Sequence, residues 1–155
     1  MRIAIGTDHA GLPIKESVIR AVKRAGHEVI DLGTDSGKSV DYPDYAEGVG
    51  KKIQSGEAER GILLCGSGIG ACIAANKMVG VYAGICHDVY SARQGVEHDG
   101  MNVLCLGGRI VDPDFAELLV GEFLRANFIG DEPGEERHKR RTEKIKKIEK
   151  GGIGS

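Results

Sequence analysis

Short apolar runs alternate with amphipathic stretches along most of this chain. "RIAIG" (Arg2 to Gly6) is a β-branched run closed by glycine and predicts a first strand. In "LPIKESVIRAVKRAG", Ile14, Val18, Ala21, Val22 and Ala25 share one helical face, with Pro13 suited to a first turn and Gly26 to a C-terminal stop. "EVIDLG" predicts a second strand. After the polar loop "TDSGKSVDYPDY", helical spacing resumes from Tyr45 to Ile53, and "GILLC" predicts a third strand. The apolar part of "ILLCGSGIGACIAANK" (Ile62 to Lys77) ends in a cysteine, breaks at three alternating glycines and resumes as a small-residue helical segment. "VYAGIC" and "NVLCLG" predict strands four and five, separated by a helix over "DVYSARQGVEHDG" that ends near His98. The last helices run from about Pro113 to Asn127 and from about Glu135 to Lys150.

Near-continuous apolar strands alternating with helices predict an α/β fold, a Rossmann-like three-layer sandwich with a parallel five-stranded sheet in the order 2-1-3-4-5. Residues 1–150 read as a single domain and 151–155 as a short C-terminal tail. In such a sheet, ligands bind beyond the carboxyl ends of the strands where the winding direction reverses, here between strands one and three. The loops flanking that crevice are "GTDHAG" and "CGSGIG", which bring Asp8, His9, Cys65 and Ser67 around one pocket.

Composition narrows the partners. The chain has 155 residues, 28% of them charged, and a net charge of only -2, so no global field invites nucleic acid or an anionic membrane surface. A small-molecule partner fits better. No apolar run approaches the roughly 20 residues of a membrane span, and the N-terminus lacks a signal-peptide pattern, so a soluble cytoplasmic protein is expected. Cys65, Cys72, Cys86 and Cys105 occur singly, which argues against structural zinc and a disulfide framework. Cys72, Cys86 and Cys105 read as packing residues. Cys65 differs, because it ends a strand beside a glycine-rich loop that opens a helix, where backbone N–H groups favour a thiolate.

The loop itself has two readings. Gly66, Gly68 and Ala71 fit GxGxxA, with Asp88 about 20 residues later as in a dinucleotide fingerprint. A pyrophosphate leaves the preceding cysteine unexplained, and no GK[ST] follows. The simpler reading is an anion hole, with successive N–H groups converging on developing negative charge. Far along the chain, Arg137 and Arg141 stand four apart, with His138 adjacent, on a stripe that continues into Ile145 and Ile148. Arginines that extend an apolar stripe are expected to face the protein and to suit phosphate oxygens; Lys139, Arg140, Lys144, Lys146 and Lys147 read as a solvated face. Arg109, just past strand five, is a matching third cation.

"GTDHAG", "DYPDYA", "GILLCGSGIGACIAANK", "EHDGMNVLCLGGR" and "RHKRR" occur in the order and approximate spacing of the ribose-5-phosphate isomerase B family, which also contains galactose- and allose-phosphate isomerases, and the chain resembles that family from Arg2 to about Lys150. The resemblance implies an aldose–ketose isomerase that interconverts D-ribose 5-phosphate and D-ribulose 5-phosphate through an enediolate, with no metal or cofactor. A hexose-6-phosphate isomerase and, from a different class, a nucleotide-binding module are the alternatives. By resemblance Cys65 is the base, Ser67 assists it, and His98 is the acid–base for ring opening. Asp8, His9, Tyr42, Gly66, Gly68, Ile69, Gly70, Asp99, Arg109, Arg137, His138 and Arg141 bind the substrate. The family implies a homodimer with shared sites, or a dimer of dimers, in which His98, Asp99 and Arg109 come from the neighbouring subunit. Three departures stand out. Asp99 replaces the asparagine usual in the family's cysteine branch, Ala71 stands where another branch carries a glutamate, and a few residues around "DEPGEE" are inserted before "RHKRR".

Overall fold

The computed structural model describes residues 1–151. Strands β1 (Arg2–Thr7), β2 (Glu28–Asp31), β3 (Arg60–Cys65), β4 (Ala83–Ile85) and β5 (Val103–Gly107) alternate with helices α1 (Leu12–Arg24), α2 (Tyr42–Gln54), α3 (Ile69–Ala75), α4 (Val89–Asp99) and α5 (Pro113–Arg125), and α6 (Glu136–Glu149) follows. All strand pairs are parallel. Parallel strands need long crossovers, and the helices in them cover both faces, which produces the expected three-layer sandwich. Side chains alternate across the sheet. Ile3, Ile5, Ile62, Leu64, Leu104 and Leu106 meet α1, α4 and α5 on one face, while Ala4, Leu63, Cys65, Val103 and Cys105 meet α2 and α3 on the other.

The strand order is β2-β1-β3-β5-β4, which corrects the expected 2-1-3-4-5. Burial explains the exchange. Every residue of β5 is buried, so it needs neighbours on both edges, whereas β4 has three residues, none of them fully buried, and suits an edge. Val81, Tyr82 and Cys86 lie outside β4, in part because the Asn102 side chain takes the Tyr82 N–H at 2.8 Å. With right-handed crossovers, stepping back from β4 to β5 carries α4 to the face of α1 and α5. It also sets the carboxyl end of β5 directly beside that of β3, where Cys65 pairs with Gly107.

Element ends follow local chemistry. α1 stops before Gly26 (φ 82°) and α4 before Gly100 (φ 67°), left-handed positions that glycine adopts without strain. α2 starts at Tyr42, three residues ahead of the expected Tyr45, because Pro43 fits a first turn.

Candidate active site

The loops after β1, β3 and β5 are joined backbone to backbone. Asp8 N–H donates to the Leu64 carbonyl (3.0 Å), Gly108 N–H to that of Cys65 (2.8 Å) and Arg109 N–H to that of Gly66 (3.0 Å). Asp8, 5% exposed, caps the short turn His9–Gly11 by accepting the Ala10 and Gly11 N–H groups at 2.9 and 3.0 Å. Such close approach leaves no space for side chains: a Cβ on Gly108 would lie 2.4 Å from the Ala10 carbonyl oxygen. Gly108→Ala is therefore expected to push two of these loops apart, costing about 1–3 kcal/mol of stability. A urea midpoint that stays at the wild-type value would show that the loops yield freely.

These loops enclose a cavity of about 360 Å³ lined by Asp8, His9, Tyr42, Cys65, Gly66, Ser67, Gly70 and Arg109, with Ala10 and Ile110. Cys65 is only 4% exposed, and its Sγ accepts the Gly68 N–H at 3.1 Å. Gly68, at φ 82°, makes the left-handed turn that aims this amide at the sulfur. Ser67 Oγ accepts the Ile69 N–H at 3.2 Å, which leaves its hydroxyl proton free to donate. Gly68 and Ile69, expected at the ligand, thus turn their amides inward and do not line the cavity. Among the described residues the Gly70 and Ala71 amides, in the first turn of α3, meet no acceptor within the chain. The Tyr42 ring lies over this turn, where a Cβ on Gly70 would come within 2.5 Å of the ring.

Arg109 closes another wall: one guanidinium nitrogen lies 3.2 Å from where a Gly66 Cβ would stand, and no carboxylate pairs with it among the described residues. Although the resemblance assigned Arg109 to a neighbouring subunit, it borders this chain's own cavity, because β5 sits next to β3. His9 Nδ1 accepts the Val40 N–H at 3.2 Å, so its Nε2 carries the proton of the neutral ring. The loop that supplies Val40 is tethered by a residue the sequence reading missed. Lys15 is 2% exposed, and its Nζ bonds Asp35 at 2.6 Å, Asp31 at 2.9 Å and the Thr34 carbonyl at 3.2 Å. Burial alone would lower its pKa, but the bonds to Asp35 and Asp31 outweigh burial and raise it above the ordinary lysine value. The available signal was a lysine on the face of α1 that buries Ile14 and Val18.

His98, Asp99, Arg137, His138 and Arg141 form a second cluster and line no part of the Cys65 cavity. His98 and Asp99 end α4, ahead of β5, whereas Arg109 follows β5, whose five residues span about 16 Å. His138 is 3% exposed and stacks on His98, with ring centroids 4.0 Å apart and planes at 19°. α6 is rotated from the expected stripe: His138 and Thr142 are buried, while Arg137, Arg141, Ile145 and Ile148 are exposed. The stacked imidazole, rather than the isoleucines, decides which face packs. Arg137 pairs with Glu135 at 2.8 Å. Lys139, Arg140, Lys144, Lys146 and Lys147 are exposed, as their charge suggested.

Cys72, Cys86 and His87, outside both clusters, are perturbed. A hydrogen bond from the Cys105 thiol holds Cys72, half-buried, down to about 7, and burial pushes Cys86 up to about 11. His87 Nε2 accepts the Gly107 N–H at 3.0 Å and so ties β4 to the end of β5. Burial lowers the pKa of His87; burial and then the charges of His98 and Arg137 lower that of His138. In the folded state the pKa of each ring lies below the ordinary 6.5. Their contribution to stability is thus complete above 6.5 and is lost as pH falls from there toward the folded values. Thermal midpoints are expected to fall between pH 7 and 5.5, with a smaller slope for His87→Gln; an unchanged slope in that variant would remove His87 from the account.

The dinucleotide reading finds no support in this geometry. Asp88 caps α4 by accepting the Ser91 N–H at 2.7 Å, beyond an edge strand, and does not line the cavity.

Residues 3–145 match the Ribose/Galactose Isomerase family. The chain is 40% identical to ribose-5-phosphate isomerase B of Escherichia coli over 148 residues, 96% of either chain. A structure of ribose-5-phosphate isomerase B from Clostridium thermocellum superposes with a TM-score of 0.91 at 44% identity, covering 97% of this chain and 99% of that one. The enzyme of Mycoplasma genitalium with bound ribulose-5-phosphate superposes with a TM-score of 0.88 at 38% identity, covering 97% of each.

Proposed function

The chain belongs to the ribose/galactose isomerase family, and from that premise we propose that it interconverts D-ribose 5-phosphate and D-ribulose 5-phosphate. The observation that carries the reading is a nearly buried thiol at the end of β3, set in a cavity beside free helix-turn amides and an unpaired arginine. Cys65 takes the C2 proton of the open-chain aldose and delivers a proton to C1, while the O2 hydroxyl gives up its proton as the C2 carbonyl forms and the C1 oxygen gains one. The charge that this leaves on the C1 oxygen falls within reach of the Gly70 turn, whose amides act most strongly on the developing anion. Ser67 donates its hydroxyl to the thiolate or to that oxygen. Asp8 and His9 bind sugar hydroxyls, Tyr42 covers the substrate, and Arg109 balances its negative charge. None of these steps calls on a metal or redox cofactor.

Ribose 5-phosphate is a furanose in water and must first open. His98 gives a proton to the ring oxygen as the C1–O bond breaks and takes up the proton of the C1 hydroxyl. Because His98 and Cys65 occupy opposite ends of the sheet, this role requires a second copy of the chain, which would bring His98, Asp99, Arg137, His138 and Arg141 to the cavity and the arginines to the phosphate. The surface around the cavity suits such a partner: Ile69, Ile73 and Ile110 are 54%, 58% and 58% exposed there. We propose a homodimer with shared sites, in the cytoplasm.

Turnover of ribose 5-phosphate, allose 6-phosphate and galactose 6-phosphate, compared at equal enzyme, tests the assignment. The pentose is expected to give the highest kcat/KM. A hexose phosphate that exceeds it would reassign the substrate, and no turnover of any of them would overturn the isomerase reading.

A further inference from the structure

The carboxylate at position 99 has a role in this chain that a sugar contact does not explain. Asp99 Oδ2 lies 3.1 Å from Gln94 Nε2, and the same nitrogen lies 3.0 Å from His98 Nδ1. A carboxylate only accepts, so Asp99 turns the NH2 end of the Gln94 amide toward itself. An amide NH2 only donates, so the Nδ1 beside it accepts, and the proton of the neutral imidazole sits on Nε2. Stacking on His138 fixes the ring plane from a different direction, and α4 supplies the spacing, since Gln94 and His98 are one turn apart. Among the described residues no hydrogen bond reaches His98 Nε2, which is left to face a ligand.

We propose that Gln94, oriented by Asp99, is a positioning residue that holds His98 in the Nε2–H tautomer, so that His98 presents a donor to the sugar. This rests on the ring-opening role given to His98 above: a group that first gives a proton to the ring oxygen must begin with that proton on the nitrogen that faces it. A neutral asparagine side chain at position 99 could turn either end toward Gln94, so only the carboxylate enforces the amide's orientation.

Long-range ¹⁵N–¹H correlation spectra of the histidine side chains, with His98 assigned by its loss in His98→Asn, read the tautomer directly. The wild type is expected to show neutral His98 with its proton on Nε2. In Gln94→Glu the new carboxylate accepts from Nδ1–H, so the tautomer inverts. Gln94→Leu relaxes toward the free-imidazole mixture and controls for the added charge. Conversion of ribose 5-phosphate by Gln94→Glu is expected to fall about tenfold or more. Solvent-deuterium exchange into C1 of ribulose 5-phosphate, an open-chain ketose that needs only the Cys65 step, should keep its wild-type rate. A merely structural Gln94 would lower both rates together. Wild-type His98 protonated on Nδ1, or a Gln94→Glu variant with tautomer and ribose turnover unchanged, would overturn the proposal. The spectra need no turnover, so an inactive protein with the Nε2–H tautomer would sink the isomerase assignment and leave the positioning of His98 standing.

Discussion

Cys65→Ala is expected to lower isomerisation of ribose 5-phosphate by about 10²–10⁴-fold or more, the range a positioned general base contributes. A sugar phosphate should still bind, because Arg109, Asp8 and His9 keep their places. The substitution also leaves the Gly68 N–H without its sulfur acceptor, a loss of about 1–3 kcal/mol that shows as a lower melting temperature. Cys65→Ser separates the two effects. Its hydroxyl can still accept from Gly68, which preserves much of the turn, but an alcohol is a far weaker base than a thiolate at neutral pH. Both variants should therefore be nearly inactive, with serine the more stable. A serine or alanine enzyme that retains substantial turnover would remove Cys65 from the chemistry. Loss of solvent-deuterium exchange into ribulose 5-phosphate in both variants would tie the defect to the carbon-bound proton.

His98→Asn is expected to abolish conversion of the furanose while sparing that exchange, which requires no ring opening. A shared-site assembly, as proposed above, would make this defect repairable. In a mixture of Cys65→Ala and His98→Asn chains, a heterodimer has one site built from the intact Cys65 of one chain and the intact His98 of the other. Half of randomly paired dimers are heterodimers with one working site in two, so about a quarter of wild-type activity should return when the two inactive proteins are unfolded and refolded together. If each site were built within one chain, every site would contain a defect and mixing would restore nothing. Sedimentation of the wild type checks the premise, since a monomer at assay concentration could not share sites. Pairing through the apolar surface around Ile69, Ile73 and Ile110 gives a second handle: a charge at Ile73 should weaken association and activity together.

The Cys65 half of the site was legible because its parts are local. A strand end, a glycine turn and the start of a helix are set by neighbouring residues, so Cys65, Gly66, Ser67 and Gly70 could be grouped from spacing alone. Asp8 and His9 joined them through one rule of topology. The contacts of Gln94 and Lys15 were not legible, since a glutamine in a helix and a lysine beside apolar neighbours acquire meaning only from what they touch. The orientation of α6 was misjudged for the same reason: Ile145 and Ile148 look like its buried stripe until His138 is seen stacked on His98.

By itself the sequence determined the alternating strands and helices, the parallel sheet and the glycine stops at Gly26 and Gly100, because periodicity and turn chemistry act between residues a few positions apart; the family showed in the order and spacing of its motifs. Tertiary structure decided the rest. It placed the fully buried β5 inside the sheet and the short β4 at its edge, which seated Arg109 beside Cys65 and carried α4 to the opposite face. It also kept His98 and Cys65 apart, at opposite ends of strands that no single chain can shorten. Burial and strand pairing are sums over distant residues, and no local pattern along the chain encodes which of two apolar strands has the greater need of neighbours.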